Sequence, residues 1–283
     1  MNTLEKIIAH KRIEVKERET LYPIELLKQT NYFKSPTVSL SAYLQRPDKS
    51  GIIAEFKKQS PSAGVINKYL SVEKTSIGYM QAGASALSIL TDKTFFGGSS
   101  EDLSIARKYN FCPILRKDFI INEYQIIESK SIGADAILLI AAVLTKEEII
   151  QLTDFAHQLG LEVLLELHHP DELSKVYHKV NVVGVNNRDL NTMKIDIKQS
   201  FLMADLLPKE MIKISESGIE NPQTISELKK VGYQGFLIGS HFMKQPHPHL
   251  ACKEFINELN LENKNLSLRV DSTIGESYRE VKR

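Results

Sequence analysis

Charged side chains in this chain stand repeatedly where an apolar run stops. Glu55 and Lys57 follow GIIA, Lys117 follows CPILR, Glu166 follows EVLL, and Glu216 with Ser217 follows IKIS. Asn186 closes VVGV, and Arg188 comes two residues later. Taken singly, each reads as a solvated ion pair at a strand end. Two ammonium groups and three carboxylates delivered to one face would shift each other's pKa values, which suits acid–base chemistry. Side chains alternate across a strand, so Glu55 and Lys57 share a face that Phe56 leaves. Such charges are costly to bury unless they are paired or functional. The pattern contains no Ser-His-Asp set and no histidine metal spacing on a strand, so a metal site is not expected.

The elements that must hold these residues can be read from periodicity. Apolar runs fall at Ile52–Phe56, Ala86–Leu90, Cys112–Arg116, Ala136–Ile140, Val163–Leu167, Val182–Asn186, Ile212–Ser215 and Phe236–Gly239. Between them lie helix-like stretches, among them Val72–Gln81, Glu123–Ser131, Lys146–Leu159, Asp171–Tyr177 and Pro222–Val231. Gly83, Gly133, Gly160 and Gly232 stand where helices should end. Strand and helix alternating eight times predicts an α/β fold, a single (β/α)8 TIM barrel whose active site lies at the C-terminal ends of its strands. A doubly wound sheet is the alternative, but neither GxGxxG after the first strand nor GxxxxGK[ST] occurs. Ser217-Gly218 and Gly239-Ser240 follow the seventh and eighth runs, where such barrels bind phosphate, so a phosphorylated small molecule is the expected ligand.

Around this core the expected organisation is an N-terminal extension over 1–50, a barrel over 51–256 and a polar tail over 257–283. Leu4, Ile7, Ile8 and Val15 predict an amphipathic helix over Asn2–Arg18, and a shorter one is expected over Pro23–Gln29. Among 283 residues, 42% are hydrophobic and 25% charged, as in ordinary soluble domains. A net charge of +1 argues against nucleic acid or a membrane surface as partner. The longest apolar run, Ala136–Leu144, is too short to cross a bilayer, and the charged first residues do not read as a signal peptide. Two cysteines, Cys112 and Cys252, without metal or CxxC spacing point to a reduced, cytoplasmic compartment.

In these residues the chain resembles the indole-3-glycerol-phosphate synthase family. The resemblance rests on IIAEFKKQSPSAG, LSILTDKTFFGGS, LRKDFIINEYQI, GADAILLIA, LLELHHPDEL, VGVNNRDL, ISESGI and FLIGSHFM, in order from Gly51 to Met243. It implies a cofactor-free closure of 1-(2-carboxyphenylamino)-1-deoxyribulose 5-phosphate to indole-3-glycerol phosphate, with loss of carbon dioxide and water. Lys117 would be the general acid, Lys57 would hold the anthranilate carboxylate, and Glu166, with Glu55 beside it, would serve dehydration. Asn186, Glu216 and Ser217 would orient hydroxyls and amine. Phe96 and Phe119 would wall the anthranilate ring, Arg188 would support Asn186 and Glu55, and Ser60, Gly218, Gly239 and Ser240 would hold the phosphate. A monomer or weak homo-oligomer is expected.

Phe56 and Arg116 depart from the family's pattern, and alternation predicts that Phe56 points away from the mouth. His168 and His169 read as an exposed loop, and His247 and His249 flank Pro248 near the start of the last helix, where metal binding is not expected. Two rivals remain at this level: a barrel isomerase using a Cys and Asp pair, for which Cys112 is at the wrong end, and a barrel that binds without turnover.

Overall fold

A computed structural model of the chain describes residues 2–262 and 264, apart from 68 and 191. Eight parallel strands close into a barrel: β1 (Ile52–Phe56), β2 (Ala86–Leu90), β3 (Ile114–Lys117), β4 (Ala136–Ile140), β5 (Glu162–Leu167), β6 (Val182–Asn186), β7 (Ile212–Glu216) and β8 (Gly235–Ile238). β1 closes the ring by pairing with β2 on one side and β8 on the other, with Ala54 opposite Leu87 and Ile238. The fold class expected from the sequence is the one observed.

The third run starts later than expected. Pro113 has no N–H to give a ladder, so regular pairing begins at Ile114 and takes in Lys117. The helices are α1 (Thr3–Leu21), α2 (Ile24–Leu27), α3 (Asn31–Lys34), α4 (Leu40–Leu44), α5 (Val72–Gln81), α6 (Ser100–Tyr109), α7 (Glu123–Ile132), α8 (Lys146–Gln158), α9 (Lys198–Ala204), α10 (Pro222–Lys230) and α11 (Ser240–Met243). Ser71, Ser99, Asn122, Thr145 and Asn221 each cap a helix through a side-chain oxygen, which fixes where the loops above the barrel end. The stretch expected as a helix over Asp171–Tyr177 is a 3-10 turn, Pro170–Lys175. The four glycines expected at helix ends all have positive φ. A last helix covers 248–262 and buries Leu259, so it runs past the expected start of the tail; residues 265–283 of that tail lie outside the described residues.

Two layers of core follow from strand alternation. Ile53, Leu115, Leu138, Leu164, Ile214 and Leu237 point inward and fill the lower barrel, closed from below by Leu40 and Leu44 of α4. Ile52, Phe56, Leu87, Ile89, Ile114, Val163 and Phe236 point outward into the helix layer, as alternation requires of Phe56. Burial of this kind stabilises by about 1.5–3 kcal/mol for each large apolar side chain.

The N-terminal extension lies against the barrel through an unexpected contact. The buried face of α1 carries Ile7, Lys11 and Val15 at helical spacing, with the lysine in the middle. The Lys11 ammonium, 1% exposed, lies 2.9 Å from Asp92, 3.0 Å from Asp118 and 2.9 Å from Glu14. Burial would lower its pKa, but these three carboxylates outweigh that and raise it. α1 is therefore fixed to the ends of β2 and β3, over the mouth.

Candidate active site

Every second residue faces inward, and on β1, β3, β5 and β7 that inward series is apolar low in the barrel and polar high. On β1 the inward series is Ile53, Glu55, Lys57; on β3 it is Leu115, Lys117; on β5, Leu164, Glu166, His168; on β7, Ile212, Ile214, Glu216. Above the apolar plug lies a cavity of about 540 Å³. All fourteen residues singled out from the sequence line it: Glu55, Lys57, Ser60, Phe96, Lys117, Phe119, Glu166, Asn186, Arg188, Glu216, Ser217, Gly218, Gly239 and Ser240. Thr3, Leu4 and Ile7 of α1 complete the rim.

Lys117 is the centre of the cluster. Its Nζ donates to Glu166 Oε2 at 2.7 Å and to Glu216 Oε2 at 2.5 Å. Burial would lower its pKa, but Glu166, Glu216 and Glu55 outweigh burial and keep the amine protonated. The two carboxylates then part ways. Burial pushes Glu166 up, yet Lys117 and His168 carry it well below the usual range. Burial pushes Glu216 up to about 8, Lys117 opposing and Glu166 adding to the shift. Among the described residues, Glu216 Oε1 has no hydrogen-bond partner although it is buried. Beside this triad, Lys57 donates to Glu55 Oε1 at 2.7 Å.

The room for these carboxylates is made by glycine. A Cβ on Gly184 of β6 would collide with Glu216 Oε1, and one on Gly239, after β8, with Glu55 Oε1. Gly239 thus does more than border the expected phosphate position. Ser217 has φ 68° and Gly218 φ 79°, so the chain turns sharply as it leaves β7. Asn187 holds that turn: its Nδ2 donates to Ser215 Oγ at 3.0 Å, Glu216 O at 2.9 Å and Ser217 O at 3.0 Å, while its Oδ1 accepts from the Ser200 backbone and hydroxyl. The sequence reading passed over Asn187. Its signal was the second Asn of NN, which alternation turns away from the mouth towards β7.

The remaining walls are equally specific. Asp92 Oδ1 accepts from Phe95 N at 2.7 Å and Phe96 N at 3.3 Å, which sets Phe96 with its ring 6.0 Å from that of Phe119. Gln59 N donates to Phe96 O, tying the loop after β1 to the same wall. Ser60 Oγ accepts from Ala63 N in that loop. Asn186 Oδ1 accepts from Arg188 N at 3.0 Å, whereas the Arg188 guanidinium donates to Met193 O rather than to Asn186 or Glu55. α11 starts at Ser240 with Gly239 before it and no side chain capping its amides.

His168 is not an exposed loop residue: its side chain is 7% exposed and its Nε2 lies 3.2 Å from Glu166 Oε1. His169 is exposed as expected and caps the 3-10 turn. Arg116, which departs from the family's pattern, faces the helix layer and is fully paired there. It donates to Thr91 Oγ1, Gln125 O, Ser129 Oγ, Asp118 Oδ2 and Glu128 Oε2. Cys112 precedes β3 at the end away from the mouth, and burial pushes its thiol up to about 12. Among the described residues no three His, Cys, Asp or Glu side chains are grouped to hold a metal, and no helix is long and apolar enough to cross a membrane.

A closed (β/α)8 barrel with a desolvated ammonium between two unequal carboxylates at its C-terminal mouth defines an acid–base barrel enzyme. The comparisons specify which. The profile of the family described as Indole-3-glycerol phosphate synthase matches residues 4–255. A relative of that name from Bacteroides thetaiotaomicron is 46% identical over 256 residues, 90% of this chain and 98% of the relative. Relatives of the same name from Prochlorococcus marinus strain MIT 9301 and Campylobacter hominis are 43% and 39% identical, covering 91% and 89% of this chain and 90% and 98% of their own. The chain belongs to the indole-3-glycerol phosphate synthase family, carboxy-lyases of tryptophan biosynthesis. Among solved structures, a chain from the tryptophan synthase a2b2 complex of Pyrococcus furiosus aligns with a TM-score of 0.55 at 14% identity, over 75% of this chain and 98% of that one, a likeness of fold alone.

Proposed function

We propose that the chain closes 1-(2-carboxyphenylamino)-1-deoxyribulose 5-phosphate to indole-3-glycerol phosphate, releasing carbon dioxide and water, without a cofactor. The observation that carries the residue roles is the Lys117 ammonium held between Glu166 and Glu216 inside the mouth. Ring closure builds negative charge on the ribulose carbonyl oxygen, and a positioned ammonium stabilises and protonates it. An ammonium gripped by two carboxylates is a poor acid, so the substrate must displace one. Glu216, raised to about 8, is neutral near pH 7 and is the weaker partner. Glu166 stays ionised and takes a proton in dehydration, with Glu55 beside it.

Lys57 holds the anthranilate carboxylate whose loss as carbon dioxide restores the aromatic ring. Phe96 and Phe119 face the flat ring, where aromatic contact adds to area burial. Asn186, Glu216 and Ser217 orient hydroxyls and amine, with Arg188 in support. The phosphate lies by Ser60, Gly218, Gly239 and Ser240, where uncapped amides and the turn after β7 favour an anion. The same reading gives a phosphorylated small molecule as the partner, a cytoplasmic location and a monomer or weak homo-oligomer; a stable larger assembly in sedimentation would overturn the last.

The test is turnover of that substrate, followed by fluorescence of the indole product. The chain contains no Trp, so its own emission at indole excitation is low. A rise at the rate of enzyme addition supports the reaction. No rise, with the substrate bound, would make this a binding barrel.

A further inference from the structure

The cluster at the mouth contains one titratable group that the roles above leave unused. His168 stands two residues after Glu166, so strand alternation carries both side chains to the mouth. Its backbone is held at both ends: the N–H donates to Glu172 Oε2 at 2.6 Å and the carbonyl accepts from Gln199 Nε2 at 2.9 Å. Among the described residues neither ring nitrogen has an aligned hydrogen-bond partner, and Nε2 faces Glu166 Oε1 at an ion-pair separation of 3.2 Å. The other oxygen of the same carboxylate receives Lys117. Glu166 is therefore held from both sides, by the ammonium on one oxygen and the imidazole on the other.

We propose that His168 is a positioning residue for Glu166, holding its carboxylate ionised and aimed when the Lys117 ammonium is drawn away to the substrate. The proposal rests on the reading in which Glu166 takes a proton. Without His168, loss of Lys117 from Glu166 would leave a buried carboxylate uncompensated beside Glu216, and the proton would arrive early from the wrong donor. The groups facing the imidazole are Glu166 on β5, Glu172 on the 3-10 turn and Glu216 on β7, all acidic. Burial would lower the imidazole pKa, and these carboxylates raise it above 6.5. The clamp is thus strongest at low pH and is released as pH rises through that raised value.

Two measurements on the full chain decide it. Imidazole nitrogen NMR, with the resonance assigned through His168→Asn, should show His168 titrating above 6.5 in the wild type and at least about one pH unit lower in Glu166→Gln. In steady-state kinetics His168→Asn should lower kcat about tenfold, less than the 10²–10⁴ of a direct acid or base, with KM within about twofold. The kcat profile of that variant should also lose the fall that follows the imidazole titration. A titration unmoved by Glu166→Gln, or a His168→Asn enzyme with wild-type kcat, overturns the proposal. The titration needs no turnover, so failure of the reaction itself is seen separately in the wild-type assay.

Discussion

Arg116 and Lys117 are neighbours on β3, yet they enter two buried charge clusters of opposite character. The outward cluster joins Arg116, Asp118, Glu128, Lys11 and Arg18 around a fully paired guanidinium: all five Arg116 N–H groups have partners, and Asp118 accepts from Arg116, Thr91 and Phe119 N and lies 3.0 Å from the Lys11 ammonium. Although burial pushes the Asp118 carboxyl up, Lys11 and Arg116 hold it well below its ordinary range. The inward cluster has three carboxylates around two ammonium groups, a buried Glu216 oxygen without a partner, and a Glu216 pKa near 8. Burial alone therefore does not distinguish structural charge from reactive charge. Access and balance do: every Arg116 N–H is spent on a protein partner outside the barrel, whereas the inward set lines the cavity and keeps a Glu216 oxygen that a substrate can partner.

That contrast can be broken from either side. Lys117→Ala should lower kcat by about 10³-fold with KM changed far less, since the ammonium acts on developing charge; near-normal kcat would sink the assignment of the inward cluster. Glu166→Gln should cost about 10²-fold and stall before dehydration, visible as an accumulating intermediate in single-turnover quench experiments. On the outward side, Lys11→Ala leaves Asp92 and Asp118 facing each other without their ammonium and should cost about 3–5 kcal/mol, on the order of 10 °C in Tm. Because the folded Asp118 pKa lies below its unfolded value, this contribution is complete above about pH 4 and fades as pH falls below it. A melting temperature unchanged by Lys11→Ala would show that the outward cluster is not what it is taken for.

The smallest effect has the opposite sign. Glu216 binds its proton up to about pH 8 when folded and only to about 4.5 when unfolded, so wild-type stability falls as pH rises across that interval. Glu216→Gln removes this slope and should melt about 2–4 °C above the wild type at pH 9 while losing activity. Parallel stability curves for the two proteins from pH 5 to 9 would contradict the raised pKa.

The barrel was legible because eight apolar runs and their spacers are a one-dimensional signal, and the mouth because strand alternation converts run ends into one face. What escaped depends on partners that sequence does not display. Lys11 reads as a solvated charge on an amphipathic helix until Asp92 and Asp118 are brought beneath it. Arg116 looks anomalous until Glu128 arrives from α7. His168 was a different kind of miss: the loop reading stopped β5 at its apolar end, although continuing the alternation by two residues from Glu166 reaches the imidazole. Asn187 was passed over for another reason: its work is done on the far side of the strand from the chemistry.

The Lys11 contact also bears on when the parts of the chain find their places. An ammonium gains nothing from leaving water until carboxylates are waiting, and those of Asp92 and Asp118 are presented only once β2 and β3 are paired. Arg18 likewise waits for Glu128, 110 residues further on. The helix α1 is thus among the last elements to be seated, closing over a barrel built from residues that follow it in the chain.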